Sequence, residues 1–203
     1  MKHIGIYIYD DAEELDFAGP YEVFTMINTI MEHQGRPDAV KVSLISKDGG
    51  DITGKKGMRV GAHAACEDVS ALDVICLPGG YGSRQQITDP DIINWVKDIA
   101  KTCEWVTSVC TGAFILAKAD ITKNKRLATF WGAFDEFKAL GLPGELVPNV
   151  RYVRDGNVVT SAGVSAGIDM ALWLTGQMFT PQFARKVQRG MQYDPAPPYT
   201  ADV

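Results

Sequence analysis

Short, nearly unbroken apolar runs alternate along this chain with segments whose apolar residues recur at helical spacing. Strands that read as continuous apolar runs are buried on both faces. The alternation therefore predicts a mostly parallel sheet covered by helices on both sides, a three-layer α/β sandwich of the flavodoxin-like kind. At 203 residues, with no repeat, low-complexity tract or Ser/Pro-rich linker, the chain reads as one domain, residues 1–203. Strands are expected at residues 2–9, 41–46, 72–77, 105–109 and 126–130. A surface hairpin is expected over 48–60, and a second hairpin pairs 151–154 with 158–161 around Asp155-Gly156-Asn157. Helices are expected over 111–118, 133–140, 166–178 and 181–192. Another opens at Asp89-Pro90 with Ile92, Ile93, Val96 and Ile99 facing inward. The helix after the first strand is placed from Pro20, with Gly19 as its N-cap and Tyr21, Phe24, Ile27 and Met31 on one face. The tail Asp194-Pro195-Ala196-Pro197-Pro198 is expected to be irregular.

Charge and composition exclude several classes of function. Asp plus Glu total 25 against 20 Lys plus Arg, a net charge of −5 without a basic block, which argues against nucleic acid as a partner. No apolar run approaches the length of a membrane span. The start, Met1 to Asp11, has acidic and polar breaks where a signal peptide needs an apolar core, so the expected location is the cytoplasm. Thiols stay reduced there, and Cys66, Cys76, Cys103 and Cys110 form no CxxC pair. Cys76 reads as a small buried hydrophobe. His63 and Cys66 lack a second pair at useful spacing, so they read as ordinary loop residues and no metal is expected.

The chemistry is expected where strands end. Around Ser108-Val109-Cys110-Thr111-Gly112-Ala113 a β-run stops and a helical run begins at once. That elbow strains the backbone at Cys110 and lifts its side chain above the sheet edge. A thiol at a helix N-terminus is expected to lose its proton more readily than a free one. On the same edge lies Pro78-Gly79-Gly80-Tyr81-Gly82, from which Gly79 and Gly80, together with Thr111, are expected to offer N–H groups to developing negative charge. Neither GxGxxG nor GxxxxGK[ST] occurs, so no nucleotide cofactor is expected. Asp16, after the first strand, falls outside the helix if Gly19 is its cap, and its carboxylate is then either a solvated loop acid or cap, or free to point into the site. Apolar neighbours Leu15 and Phe17 would raise it toward a useful acid–base range. Glu13 and Glu14 read as surface charge.

Taken in order, these motifs resemble the ThiJ/PfpI superfamily, whose fold is like that of class I glutamine amidotransferases, and within it the isonitrile hydratase subgroup. The resemblance runs from Leu15-Asp16-Phe17-Ala18-Gly19-Pro20 through Leu77-Pro78-Gly79-Gly80 and the Cys110 elbow. It continues through Thr160-Ser161-Ala162-Gly163 and Ser165-Ala166-Gly167-Ile168-Asp169 to the Pro-rich tail. It implies Cys110 as nucleophile, Asp16 as its acid, a small-molecule substrate, no cofactor and a homodimer. Thr111 follows the cysteine where protease-like members have histidine, which argues against peptidase activity. In Ala128-Thr129-Phe130-Trp131, Phe130 stands where many relatives have histidine, so no Cys–His–acid triad forms there; His3, His33 and His63 do not match that place. The alternatives are a glyoxalase- or deglycase-type enzyme, a redox-responsive protein and a ligand-sensing module. Little chain follows Tyr193, so regulation would need a separate DNA-binding partner.

Overall fold

The computed structural model describes residues 1–33 and 35–195. In chain order the elements are β1 (Lys2–Tyr7), α1 (Glu14–Glu32), β2 (Val40–Ser46), β3 (Ile52–Thr53), β4 (Arg59–Val60), β5 (Ala64–Ala65), β6 (Val74–Leu77), α2 (Ser83–Gln86) and α3 (Pro90–Ala100). They continue with β7 (Trp105–Val109), α4 (Gly112–Lys118), β8 (Arg126–Leu127), α5 (Phe134–Ala139), β9 (Glu145–Leu146), β10 (Tyr152–Asp155), β11 (Val158–Ser161), α6 (Ala166–Met178) and α7 (Pro181–Gly190). No helix among the described residues is long and apolar enough to cross a membrane. Asp194 and Pro195 have no regular structure; the rest of the Pro-rich tail lies outside the described residues.

The main sheet has strand order β10-β11-β7-β6-β1-β2-β5 and is parallel except for the β10–β11 hairpin. The predicted α/β sandwich with a mostly parallel sheet is what forms. Its central strands are sealed: Ile4, Ile6, Val74, Ile75, Leu77, Val109 and Val159 are all buried. One helical layer is α1, α6 and α7, which pack on one another; α2 and α3 both pack against α4. β1 has β2 on one side and β6 on the other, so the connections leaving β1 and β6 diverge at a topological switch point. Crevices open at such points, at the carboxyl ends of the strands.

Two expected elements differ, and a third forms with an added role. α1 begins at Glu14, not Pro20, so Pro20 lies inside it. The Gly-Pro pair looks like a local start signal, but the first turn is held by tertiary contacts, and the helix runs through a proline that cannot donate back to Asp16. Gly19 has a packing role instead: a Cβ there would sit 2.8 Å from Cγ1 of Ile168 on α6. The strand expected over 126–130 pairs only at Arg126–Leu127, with β9. Beyond it the chain turns to the site, where Thr129 Oγ1 donates to the Cys110 carbonyl at 2.8 Å. The 48–60 hairpin forms as β3 and β4. It does more than decorate the surface: its tip clips over the β1–α1 connection, with Asp11 N–H on Thr53 C=O and Lys55 N–H on Ala12 C=O, both at 2.9 Å.

Candidate active site

Cys110 has φ +56°, the left-handed region that a β-carbon makes costly. The bend is over-determined. Cys110 N–H points at the carbonyls of Ser161 and Ala162, each 3.2 Å away, while its own carbonyl is held by Thr129. Two glycines permit the crowding. A Cβ on Gly79 would lie 2.8 Å from the Cys110 Cβ, and one on Gly112 would lie 2.8 Å from the Pro78 carbonyl oxygen. The β6–α2 loop and the elbow therefore touch backbone to backbone. Tyr9 steadies the loop from below, its hydroxyl donating to the Pro78 carbonyl at 2.5 Å; burial pushes that phenol up, keeping it a donor. Val164, a β-branched residue at φ +54°, is a second strained position in the site's wall.

The cleft at this edge has a volume of about 370 Å³ and is lined by Glu13, Tyr81, Arg84, Cys110, Phe130 and Val164, among others. Cys110 is only 7% exposed, yet it reaches this cavity. Asp16 is fully buried in the first turn of α1 and does not line it. The carboxylate therefore does not point freely into the site from outside a helix. Its Oδ2 accepts from Gly79 N–H at 2.9 Å, and Oδ1 is buried with no partner in hydrogen-bonding geometry.

Burial dominates the electrostatics. It pushes Asp16 up to about 7, with Gly79 N–H pulling it back and the Glu13 charge adding to the rise. Burial also pushes the Cys110 thiol up to about 12, and the Asp16 charge adds to it; the Thr111 N–H and hydroxyl oppose. The lowered thiol expected from a helix terminus is thus overturned. α4 is seven residues long and Cys110 is buried, so desolvation outweighs the dipole. Burial thus disfavours the charged form of both groups.

The expected free N–H donors also differ. Gly79 N–H is committed to Asp16, and Gly80 N–H to Thr111 Oγ1 at 3.1 Å. Thr111 N–H remains beside the sulfur. Glu13 and Glu14 are not plain surface charge. Glu14 is buried, accepting from Lys56 N–H at 2.5 Å, and Glu13 lines the cleft, paired with the Lys56 ammonium. Sequence reasoning gave no role to Arg84, which donates to the Gly80 carbonyl at 2.9 Å and forms a bidentate pair with Glu136. Nothing local marks it; only the fold brings α5 to α2. Phe130 forms an apolar wall, packed on Trp131 with ring centres 5.3 Å apart. His63 lies elsewhere, its Nδ1 accepting from Leu44 N–H, and Cys66, Cys76 and Cys103 are buried away from the cleft.

Comparison with known proteins agrees with this architecture. The family model described as the DJ-1/PfpI family matches residues 2–177. The chain is 35% identical over 196 residues to the isonitrile hydratase of Pseudomonas putida, covering 97% of this chain and 80% of that protein. It is 29% identical over 150 residues to the HTH-type transcriptional regulator CdhR of Pseudomonas aeruginosa, covering 74% of this chain but 44% of the regulator. Among solved structures, a ThiJ/PfpI family protein from Pseudomonas syringae superposes with a TM-score of 0.86 at 25% identity, covering 100% of this chain and 79% of that one. Drosophila melanogaster DJ-1beta shares the fold, with a TM-score of 0.81 at 18% identity over 96% of this chain and 99% of its own. An elbow cysteine, a glycine loop packed against it and a sheet matched along nearly its whole length lead to one conclusion: the chain belongs to the DJ-1/PfpI family.

Proposed function

We propose that this protein is a cysteine-dependent hydratase of small molecules that adds water to isonitriles and releases N-substituted formamides. One observation carries the reading: a strained cysteine that lines a small cleft while a buried carboxyl, raised to about 7, lies close to it. The likeness to an isonitrile hydratase along 97% of the chain supports the choice of substrate.

The two groups divide the first half of the reaction. Asp16, ionised, takes the thiol proton as sulfur bonds to the terminal isonitrile carbon, and returns that proton to the same carbon. The product is a thioimidate on Cys110. Thr111 N–H steadies charge on the sulfur, and Phe130 and Tyr81 provide apolar surface for the nitrogen substituent. The reading includes a cytoplasmic homodimer that works without cofactor. A thiol raised to about 12 weighs against a redox role, because oxidation follows thiolate character. A ligand-sensing module is the second reading, favoured by the likeness to CdhR.

Incubation with alkyl and aryl isonitriles, with formamide detected by mass spectrometry, separates them. Turnover that Cys110→Ala abolishes is expected. Saturable binding without formamide would favour the sensor.

A further inference from the structure

Hydration needs a second proton transfer, from water, and Asp16 is badly placed for it. Its side chain is fully buried and does not line the cleft; it serves the adduct carbon from the sulfur side, whereas water arriving through the cleft meets the lining residues first. Glu136 is occupied, its Oε1 taking Arg84 Nε at 2.9 Å and its Oε2 taking Nη2 at 2.5 Å. Tyr81 lines the cleft as an aromatic ring with the Lys55 ammonium over its face. Glu13 is the acidic residue among those that line the cavity with Cys110 and Thr111.

Its placement is built, not incidental. Glu13 N–H donates to the Gly79 carbonyl at 2.9 Å, and its own carbonyl accepts from Asp16 N–H at 3.0 Å, so its backbone is pinned between loop and helix. The β3–β4 tip holds the side chain from outside: the Lys56 ammonium pairs with Oε1, while Lys56 N–H is anchored on the buried Glu14. The Lys56 hydrogen bond falls on Oε1.

We infer that Glu13 is a catalytic residue of the second half-reaction, the base that activates water against the Cys110 thioimidate. This rests on the isonitrile reading above. Glu13 takes one proton from water as the oxygen bonds to the imidate carbon, and passes it to the nitrogen. The resulting neutral adduct carries sulfur, hydroxyl and amine on one carbon. Its collapse breaks the carbon–sulfur bond as the hydroxyl proton returns to sulfur, releasing the formamide and restoring the thiol. Isonitrile and one water account for every atom, and no oxidant or reductant enters.

The test uses benzyl isonitrile with the full chain, quenched at intervals for intact-protein mass spectrometry alongside formamide release. Glu13→Gln is expected to slow turnover about 100-fold or more, with a covalent adduct of one isonitrile building up on Cys110. Glu13→Asp, which keeps a carboxylate, is expected to regain at least tenfold of that loss. Wild-type turnover in Glu13→Gln overturns the inference. So does loss of turnover with no adduct, which places Glu13 in the first half or in folding, and so does equal impairment of the Gln and Asp variants. Absence of both adduct and formamide in the wild-type protein is a different failure: it sinks the isonitrile reading, and this inference with it.

Discussion

The N–H of Gly79 donates to Oδ2 of Asp16 across 63 positions of sequence, at 2.9 Å, and so joins the glycine loop after β6 to the first turn of α1. That bond spans the switch point of the sheet and places a carboxyl behind the elbow sulfur. Burial then gives the carboxyl its character.

A carboxyl raised by burial costs stability when it ionises. Folded Asp16 holds its proton up to about 7 against an ordinary 3.8, so between those values the folded chain keeps a proton that the unfolded chain has released. Stability contributed by this group therefore falls as pH rises from about 4 to 7, by up to about 4 kcal/mol. Asp16→Asn, which cannot ionise, is expected to unfold at higher denaturant than wild type at pH 8, with the gap shrinking toward pH 4. Urea titrations at the two pH values check this; a gap independent of pH would contradict it.

The charge on Asp16 helps hold the Cys110 thiol near 12. Alkylation of wild-type Cys110 by iodoacetamide is therefore expected to be slow at pH 7 and still accelerating at pH 9. In Asp16→Asn one cause of the rise is gone, and alkylation at pH 8 is expected to be several-fold faster. Peptide mapping reads the site; Cys66, Cys76 and Cys103, buried away from the cleft, are expected to stay unmodified in the folded protein.

Much of this site was legible because its signals are local. Cys110 and Gly112 stand where an apolar run meets a helical one without a loop, and the positive φ at Cys110 follows from that junction. The alternation of runs was enough for the layers and the mostly parallel sheet. What escaped was set by distant partners. The start of α1 is decided by Gly79 and by contacts of the first turn, so a Gly-Pro signal six residues later misleads. The burial of Glu14 depends on a hairpin more than forty residues on, and the Arg84–Glu136 pair spans 52 positions. The thiol's raised value escaped for the same reason, since local sequence shows a helix terminus but not how dry it is.

Backbone contact between loop and elbow leaves no room for a side chain. Gly79→Ala and Gly112→Ala each place a methyl against backbone or the Cys110 Cβ at 2.8 Å or less. Each is expected to destabilise the protein by about 1–3 kcal/mol or more, and to cut turnover by displacing the sulfur. Denaturation midpoints and formamide assays measure both. Gly141→Ala serves as a control for positive φ without crowding, because its Cβ meets nothing within 4 Å and its φ is +61°. It is expected to lose stability but not activity.

Phe130 stands as cleft wall and offers an apolar surface. Phe130→Ala is expected to raise KM for a bulky isonitrile about tenfold or more with little change in kcat, because a lost apolar contact is worth about 1–3 kcal/mol. A collapse in kcat at unchanged KM would assign Phe130 a part in the chemical step.

The pH dependence of kcat/KM with an isonitrile, for wild type and Asp16→Asn side by side, reaches the central claim. If Asp16 must be ionised to take the thiol proton, wild-type activity rises through a limb near pH 7. The Asn variant then loses about 10²- to 10⁴-fold, and the limb disappears with the carboxylate. An Asn variant with full activity and an unchanged limb would show that the proton on Cys110 goes somewhere other than Asp16.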